Sequence, residues 1–349
     1  MTAADRSPVT VRTVIAEAYA RLMRAQLAFG HGMTNAWDEA VYLVLHSLKL
    51  PLDDLAPLQA RRVSAAQRQR VLRLIASRIR RCPAAYLTRE AWLGGHRFYV
   101  DERVIVPRSF IAELLQDRLA PWVTQPRRVK RALDLCTGSG CLAVMLAKSF
   151  PAARVDASDI SAAALAVARR NIAAYRLQRR VRVLKSDMFS ALNAERYDLI
   201  VANPPYVSAA VMRRLPLEYR HEPPLALAGG TDGFDAVRII LREAAAHLNA
   251  RGLLVMEVGH HRRRLEAAFP RLPFVWLQTS GGDDCVFMLA RGDLDGFALA
   301  AAGAAAVVSP RANRAGAASP RRRARRSGRA SPVAAARRSR SARASGGSR

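Results

Sequence analysis

With 349 residues, half of them hydrophobic, the chain can fill one large core or two ordinary ones. Lys and Arg outnumber Asp and Glu 56 to 28, a net charge of +28, which favours nucleic-acid, ribonucleoprotein or acidic surroundings and leaves the fold open. Met1 to Thr10 lacks the apolar core of a signal peptide, and the longest apolar run, Phe297 to Val308, is too short to cross a bilayer, so a soluble, cytoplasmic protein is expected.

Along the chain, residues 11–82 predict helices. Val14, Ala18 and Leu22, then Val41, Leu45 and Leu48, then Val71, Leu74, Ile75 and Ile79 recur at helical spacing, and Pro51, Pro57 and Pro83 punctuate them. This part, residues 1–95, is set apart as a helical domain. Phe98-Tyr99-Val100 and Val104-Ile105-Val106 flank Asp101-Glu102-Arg103 and predict a linking hairpin over 96–108.

From residue 109 to 292 strands and helices alternate. Strands are expected at 131–136, 154–158, 181–185, 197–202, 252–258, 273–279 and 284–290, with helices at 139–149, 161–175, 234–248 and 260–268. The alternation predicts an α/β fold with a mostly parallel sheet covered on both faces. The link Ser280-Gly281-Gly282-Asp283 is too short for a parallel crossover, so the last strand must run antiparallel. Residues 293–349 read as a low-complexity tail expected to be disordered. Residues 301–349 hold 13 Arg and no acid, and without them residues 1–300 keep a net charge of +15.

Two motifs carry chemistry. Leu133-Asp134-Leu135-Cys136-Thr137-Gly138-Ser139-Gly140 is an apolar strand entering a glycine-rich turn before a helix, where backbone can approach a ligand and free N–H groups face it. Gly138-x-Gly140-x-x-Ala143 also fits the dinucleotide pattern, with Asp159 at the next strand end placed for a ribose. On this motif alone, nicotinamide and S-adenosylmethionine cofactors both stay open. Asp187, at the third strand end, could accept from an adenine amine or simply cap a turn.

The fourth strand, Tyr197 to Ala202, runs into Asn203-Pro204-Pro205-Tyr206. Prolines offer no N–H, and Pro205 holds Pro204 extended. The segment thus presents acceptors, the Asn203 side-chain oxygen and the Pro204 carbonyl, suited to the two hydrogens of an –NH2 group. Tyr206 adds a flat face for a planar amide or base. His221 and Glu222 invite an acid–base role, but a loop that orders on substrate binding is preferred. Glu257 is expected to be a buried, hydrogen-bonded carboxylate near the site. Cys82, Cys136, Cys141 and Cys285 form no C-x-x-C pair, so reduced thiols and no metal are expected.

With D-x-C-T-G-S-G and N-P-P-Y in this order, the chain resembles the class I S-adenosylmethionine-dependent methyltransferases. Within them it is similar to the protein-glutamine N5-methyltransferases from about residue 11 to 291. Arg97 to Val104, Val106-Pro107-Arg108-Ser109 and Leu217 to Pro224 are similar to the branch acting on large-subunit ribosomal protein L-three. The branch acting on release factors usually carries Ile-Pro-Arg-Pro and an acidic pair, where this chain has Val-Pro-Arg-Ser and Phe110. The resemblance implies a Rossmann-like sheet with an antiparallel last strand, a helical substrate-recognition domain, S-adenosylmethionine as cofactor, and L-three or a pre-ribosomal particle as partner. It implies that Asp134, Thr137, Gly138, Ser139, Gly140, Asp159, Asp187, Met188 and Asn203 bind the cofactor, and that Asn203, Pro204, Pro205 and Tyr206 are catalytic.

The alternatives are release-factor methylation and methylation of adenine N6 or guanine N2 in nucleic acid, which needs the base flipped out. A non-enzymatic RNA-binding protein would leave the tetrapeptide unexplained, and so would a dehydrogenase. The arginine-rich tail, outside the resemblance, would either be a solvated extension or tether the chain to ribosomal RNA.

Overall fold

The structure, a computed structural model, describes residues 8–297. The first helices start where small polar side chains satisfy free N–H groups. Thr10 caps α1 (Val11–Arg24) in a reciprocal box with Thr13, Asn35 caps α2 (Ala36–Leu48), and Ser64 caps α3 (Ala65–Ile79) in a second box with Gln67. Their apolar stripes, including Val14, Leu22, Leu43, Leu45, Val71 and Ile75, are buried in one cluster.

A short helix, α4 (Ala84–Thr88), leads into an antiparallel hairpin of β1 (Glu90–Leu93) and β2 (His96–Tyr99). This corrects the sequence reading, which set the hairpin around residues 101–103. The Asp101 carboxylate accepts from the Arg103 backbone N–H, the Arg103 guanidinium and the Tyr99 hydroxyl, folding those residues into a local turn. Val100, Val104 and Val106 are buried against Tyr86 and Val167. The apolar run therefore serves packing, and 100–108 continues as a connection without strand structure.

Beyond α5 (Ile111–Gln116) the sheet begins. Its strands are β3 (Arg131–Leu135), β4 (Arg154–Asp159), β5 (Val181–Lys185), β6 (Tyr197–Ala202), β7 (Leu248–Glu257), β8 (Val275–Thr279) and β9 (Gly282–Ala290), in the order β5-β4-β3-β6-β7-β9-β8. β5, β4, β3, β6 and β7 pair in parallel, and β9 is antiparallel to both neighbours, as its short link to β8 requires. One face carries α5, α6 (Cys141–Ser149) and α7 (Ala162–Ala174). The other carries α9 (Asp235–Glu243) and α10 (Arg262–Ala268), while the single-turn α8 (Ala209–Met212) follows the tetrapeptide. Two apolar layers explain why β3 and β6 are buried along most of their length. This is the class I methyltransferase sheet. The chain leaves β3 to one side and returns on the other at β6, so a crevice opens beyond their carboxyl ends. Among the described residues, no helix is long and apolar enough to cross a membrane.

Candidate active site

Leaving β3, the backbone turns through Cys136, Gly138 and Gly140 with φ of 61°, 54° and 78°. A Cβ on Gly138 would stand in open space, and Gly138 borders a cleft of about 860 Å3. The positive φ favours glycine there, and its missing side chain leaves the cradle open. Asp134 lies under the turn, wholly buried, and accepts from the Thr137 hydroxyl. Burial pushes its carboxyl up to about 7. Asp159, ending β4, accepts from the N–H groups of Gly138 at 2.9 Å and Ser161 at 2.8 Å, while burial raises its carboxyl.

Of the residues expected to hold a cofactor, Gly138, Asp159, Asp187, Met188 and Asn203 line this cleft. Asp134, Thr137, Ser139 and Gly140 stand behind it and shape the turn. The sequence reading missed Arg103, Val104 and Ile105, which border the cleft from the connection after β2, and Leu225 and Ala226 from the segment after the tetrapeptide. The connection's signal is the Val104-Ile105-Val106 run, whose apolar pattern is also that of a strand. Asn171 of α7 stitches the connection to the turn. It accepts from Tyr99 N–H at 2.8 Å and donates to the carbonyls of Tyr99 at 2.9 Å and Ser139 at 2.8 Å.

β6 delivers Asn203 to the crevice. Asn203 borders the first cleft and also a second, of about 680 Å3, with Arg108, Pro204, Tyr206 and Tyr219 in its wall. The Tyr206 ring packs on Gly259, where a Cβ would lie 2.9 Å from its Cε2. Its hydroxyl donates to Glu257 Oε1 at 3.4 Å, and burial together with Glu257 holds that phenol above its usual range. Glu257, at the end of β7, also accepts from Ser109 Oγ at 2.6 Å and Phe110 N–H at 2.9 Å. It is the buried, hydrogen-bonded carboxylate the sequence suggested, with its carboxyl raised by burial.

The segment around His221 and Glu222 departs from expectation. It forms a 3-10 turn, Leu217–His221, pinned by two buried carboxylates. Glu218 meets Arg78 at 3.3 Å and Arg81 at 3.2 Å and accepts from Ala28 N–H at 3.0 Å. Glu222 takes a two-pronged bond from Arg108 at 2.6 and 2.7 Å and the Val106 N–H at 2.9 Å, with His31 at 3.6 Å. Burial alone would raise the Glu222 carboxyl, but Arg108 and His31 outweigh it and hold it at about 2. Charge pairing has ordered this loop already, while His221 stays exposed. Folding also gathers His260, Asp284 and Cys285, invisible in linear spacing, with the His260 Nδ1 2.9 Å from Asp284 Oδ1 and 3.3 Å from Cys285 Sγ.

Comparison with known proteins agrees with this architecture. Residues 112–215 match the family model described as methyltransferase small domain. The chain is 58% identical over 287 residues to the ribosomal protein uL3 glutamine methyltransferase of Bordetella pertussis, covering 82% of this chain and 96% of that protein. The protein of the same name from Burkholderia pseudomallei is 54% identical, covering 83% and 97%. That from Bradyrhizobium diazoefficiens is 46% identical, covering 82% and 92%. Identity of this order along nearly the whole of those relatives places the chain in the ribosomal protein uL3 glutamine methyltransferase family.

Proposed function

We propose that the chain transfers a methyl group from S-adenosylmethionine to the side-chain amide nitrogen of a glutamine in ribosomal protein uL3. The observation that carries this reading is Asn203, placed by β6 where one side chain borders both clefts. The first cleft suits the cofactor. Its apolar wall (Leu135, Ile160, Met188) is broken by two carboxylates, Asp159 and Asp187. Asp159 would hold the ribose hydroxyls, Asp187 and Met188 the adenine, and the open cradle at Gly138 the amino-acid portion. When bound, S-adenosylmethionine supplies a methyl carbon activated by its sulfonium.

In the second cleft, the Asn203 side-chain oxygen and the Pro204 carbonyl accept the two amide hydrogens and aim the nitrogen lone pair. The Tyr206 ring, braced by Gly259 and Glu257, offers the amide plane a surface. An amide nitrogen is a weak nucleophile, so orientation and acceptors for the positive charge it develops supply much of the acceleration. The methylated nitrogen ends with one proton fewer, released to solvent.

The test is transfer of radiolabel from S-adenosylmethionine to separated ribosomal proteins, release factor, ribosomal RNA and DNA. Label should fall on one glutamine of uL3 and drop by about 100-fold or more in Asn203→Ala. Label on release factor or nucleic acid would overturn the acceptor assignment. The reading includes action in the cytoplasm, where ribosomal proteins are made. It also includes contact with ribosomal RNA through residues 311–349, which lie outside the described residues. Their arginines would release counterions, so deleting them should flatten the salt dependence of RNA binding; an unchanged slope would remove this part of the reading.

A further inference from the structure

We propose that Arg108 determines acceptor specificity by donating to a carbonyl oxygen of the glutamine-bearing peptide, with Glu222 and Glu218 as the positioning residues that hold it. The inference rests on reading the second cleft as the acceptor site. Arg108 stands in that cleft's wall with Asn203, Pro204 and Tyr206. Its Nη1 donates to the Val106 carbonyl at 3.0 Å and to Glu222 Oε1 at 2.6 Å, and its Nη2 to Glu222 Oε2 at 2.7 Å. A guanidinium has five N–H donors. Its Nε–H has no acceptor among the described residues, and unlike the Nε of Arg131 and Arg291 it is not sealed away from solvent. A residue of the second cleft's wall therefore carries an unused donor.

Charge decides what that donor suits. Glu222 neutralises the guanidinium at contact distance, so the wall offers an N–H without net positive charge. A neutral carbonyl oxygen matches it, whereas a phosphate would meet the Glu222 carboxylate close behind. Arg108 is also immobilised. Its guanidinium lies 5.3 Å from the centre of the Tyr219 ring, and its two-pronged bond to Glu222 fixes its plane.

The support continues into the helical part of the chain. Glu222 accepts from the Val106 N–H and faces His31, which lies between α1 and α2. Four residues earlier in the same turn, Glu218 is gripped by Arg78 of α3 and by Arg81. Arg78 is itself anchored by Glu39 of α2 at 2.6 Å and by the Ala28 carbonyl at 2.8 Å. A donor held this firmly discriminates by angle as well as by charge.

The experiment uses the full chain and variants R108K and R108Q/E222Q, with acceptor KM and kcat measured separately, cofactor affinity by calorimetry, and melting temperature as a control. R108K keeps a cation beside Glu222 but loses the fork and the Nε donor. The double variant removes both charges together, so no buried charge is left unpaired. We expect at least a tenfold rise in acceptor KM in both, with cofactor affinity unchanged, and a smaller rise in E218Q. An acceptor KM within twofold of wild type in either folded double or single variant overturns the assignment. If wild type labels uL3 and the KM does not move, only the Arg108 role fails. Wild-type label on nucleic acid overturns this role and the proposed function together.

Discussion

Gly138 holds its positive φ where the backbone opens onto the first cleft, and a methyl group there would enter the space proposed for the cofactor. Gly138→Ala therefore combines a left-handed residue, about 1–2 kcal/mol, with a steric block. We expect a cofactor affinity at least tenfold weaker by calorimetry and a melting temperature lowered by only a few degrees; unchanged affinity would show that the cradle is not a contact. This position was legible in the sequence because strand, glycine turn and helix are contiguous. Asn203 to Tyr206 were legible for the same reason. Arg108 and Tyr219 were not, since they meet in the wall of the second cleft only through a pairing across more than a hundred residues, Glu222 to Arg108. A lone Glu in a polar loop carries no local sign of that partner.

At the scale of elements, α7 does more than cover the sheet. Its Asn171 is buried and makes three hydrogen bonds that join the connection after β2 to the glycine turn after β3. Asn171→Ala leaves those backbone groups unpaired, and we expect a loss of about 2–3 kcal/mol in denaturant unfolding, with weaker cofactor binding alongside. A loss below about 0.5 kcal/mol would mean that solvent replaces the side chain freely. The central strands of the large sheet were readable because burial on both faces leaves apolar stretches such as Leu199 to Ala202 and Leu253 to Met256. The β1–β2 hairpin was not. His96 and Arg97 and the exposed Trp92 give it a mixed, polar pattern, so periodicity shifted to the more apolar stretch that follows. That stretch is buried by Tyr86 and Val167 instead of by a partner strand.

Across the whole molecule, the helical part and the sheet are joined by charge as well as apolar surface. Arg78 is 1% exposed and lies between Glu39 and Glu218. Removing one member of such a group strands the others, an effect of about 3–5 kcal/mol, which is why a helical unit far from β6 in sequence bears on the wall of the second cleft. The net charge of +28 suggested acidic surroundings and gave no hint that the decisive charges are a few buried carboxylates. One short stretch ties these scales together. Ile105 borders both clefts, and the carbonyl of its neighbour Val106 accepts from the Arg108 guanidinium. Selection acting on this enzyme family thus meets a pleiotropic position: a larger or smaller side chain at 105 reshapes both clefts at once. Change confined to the second cleft is consequently easier at Leu215, Tyr219 and Leu227, which border that cleft and not the first.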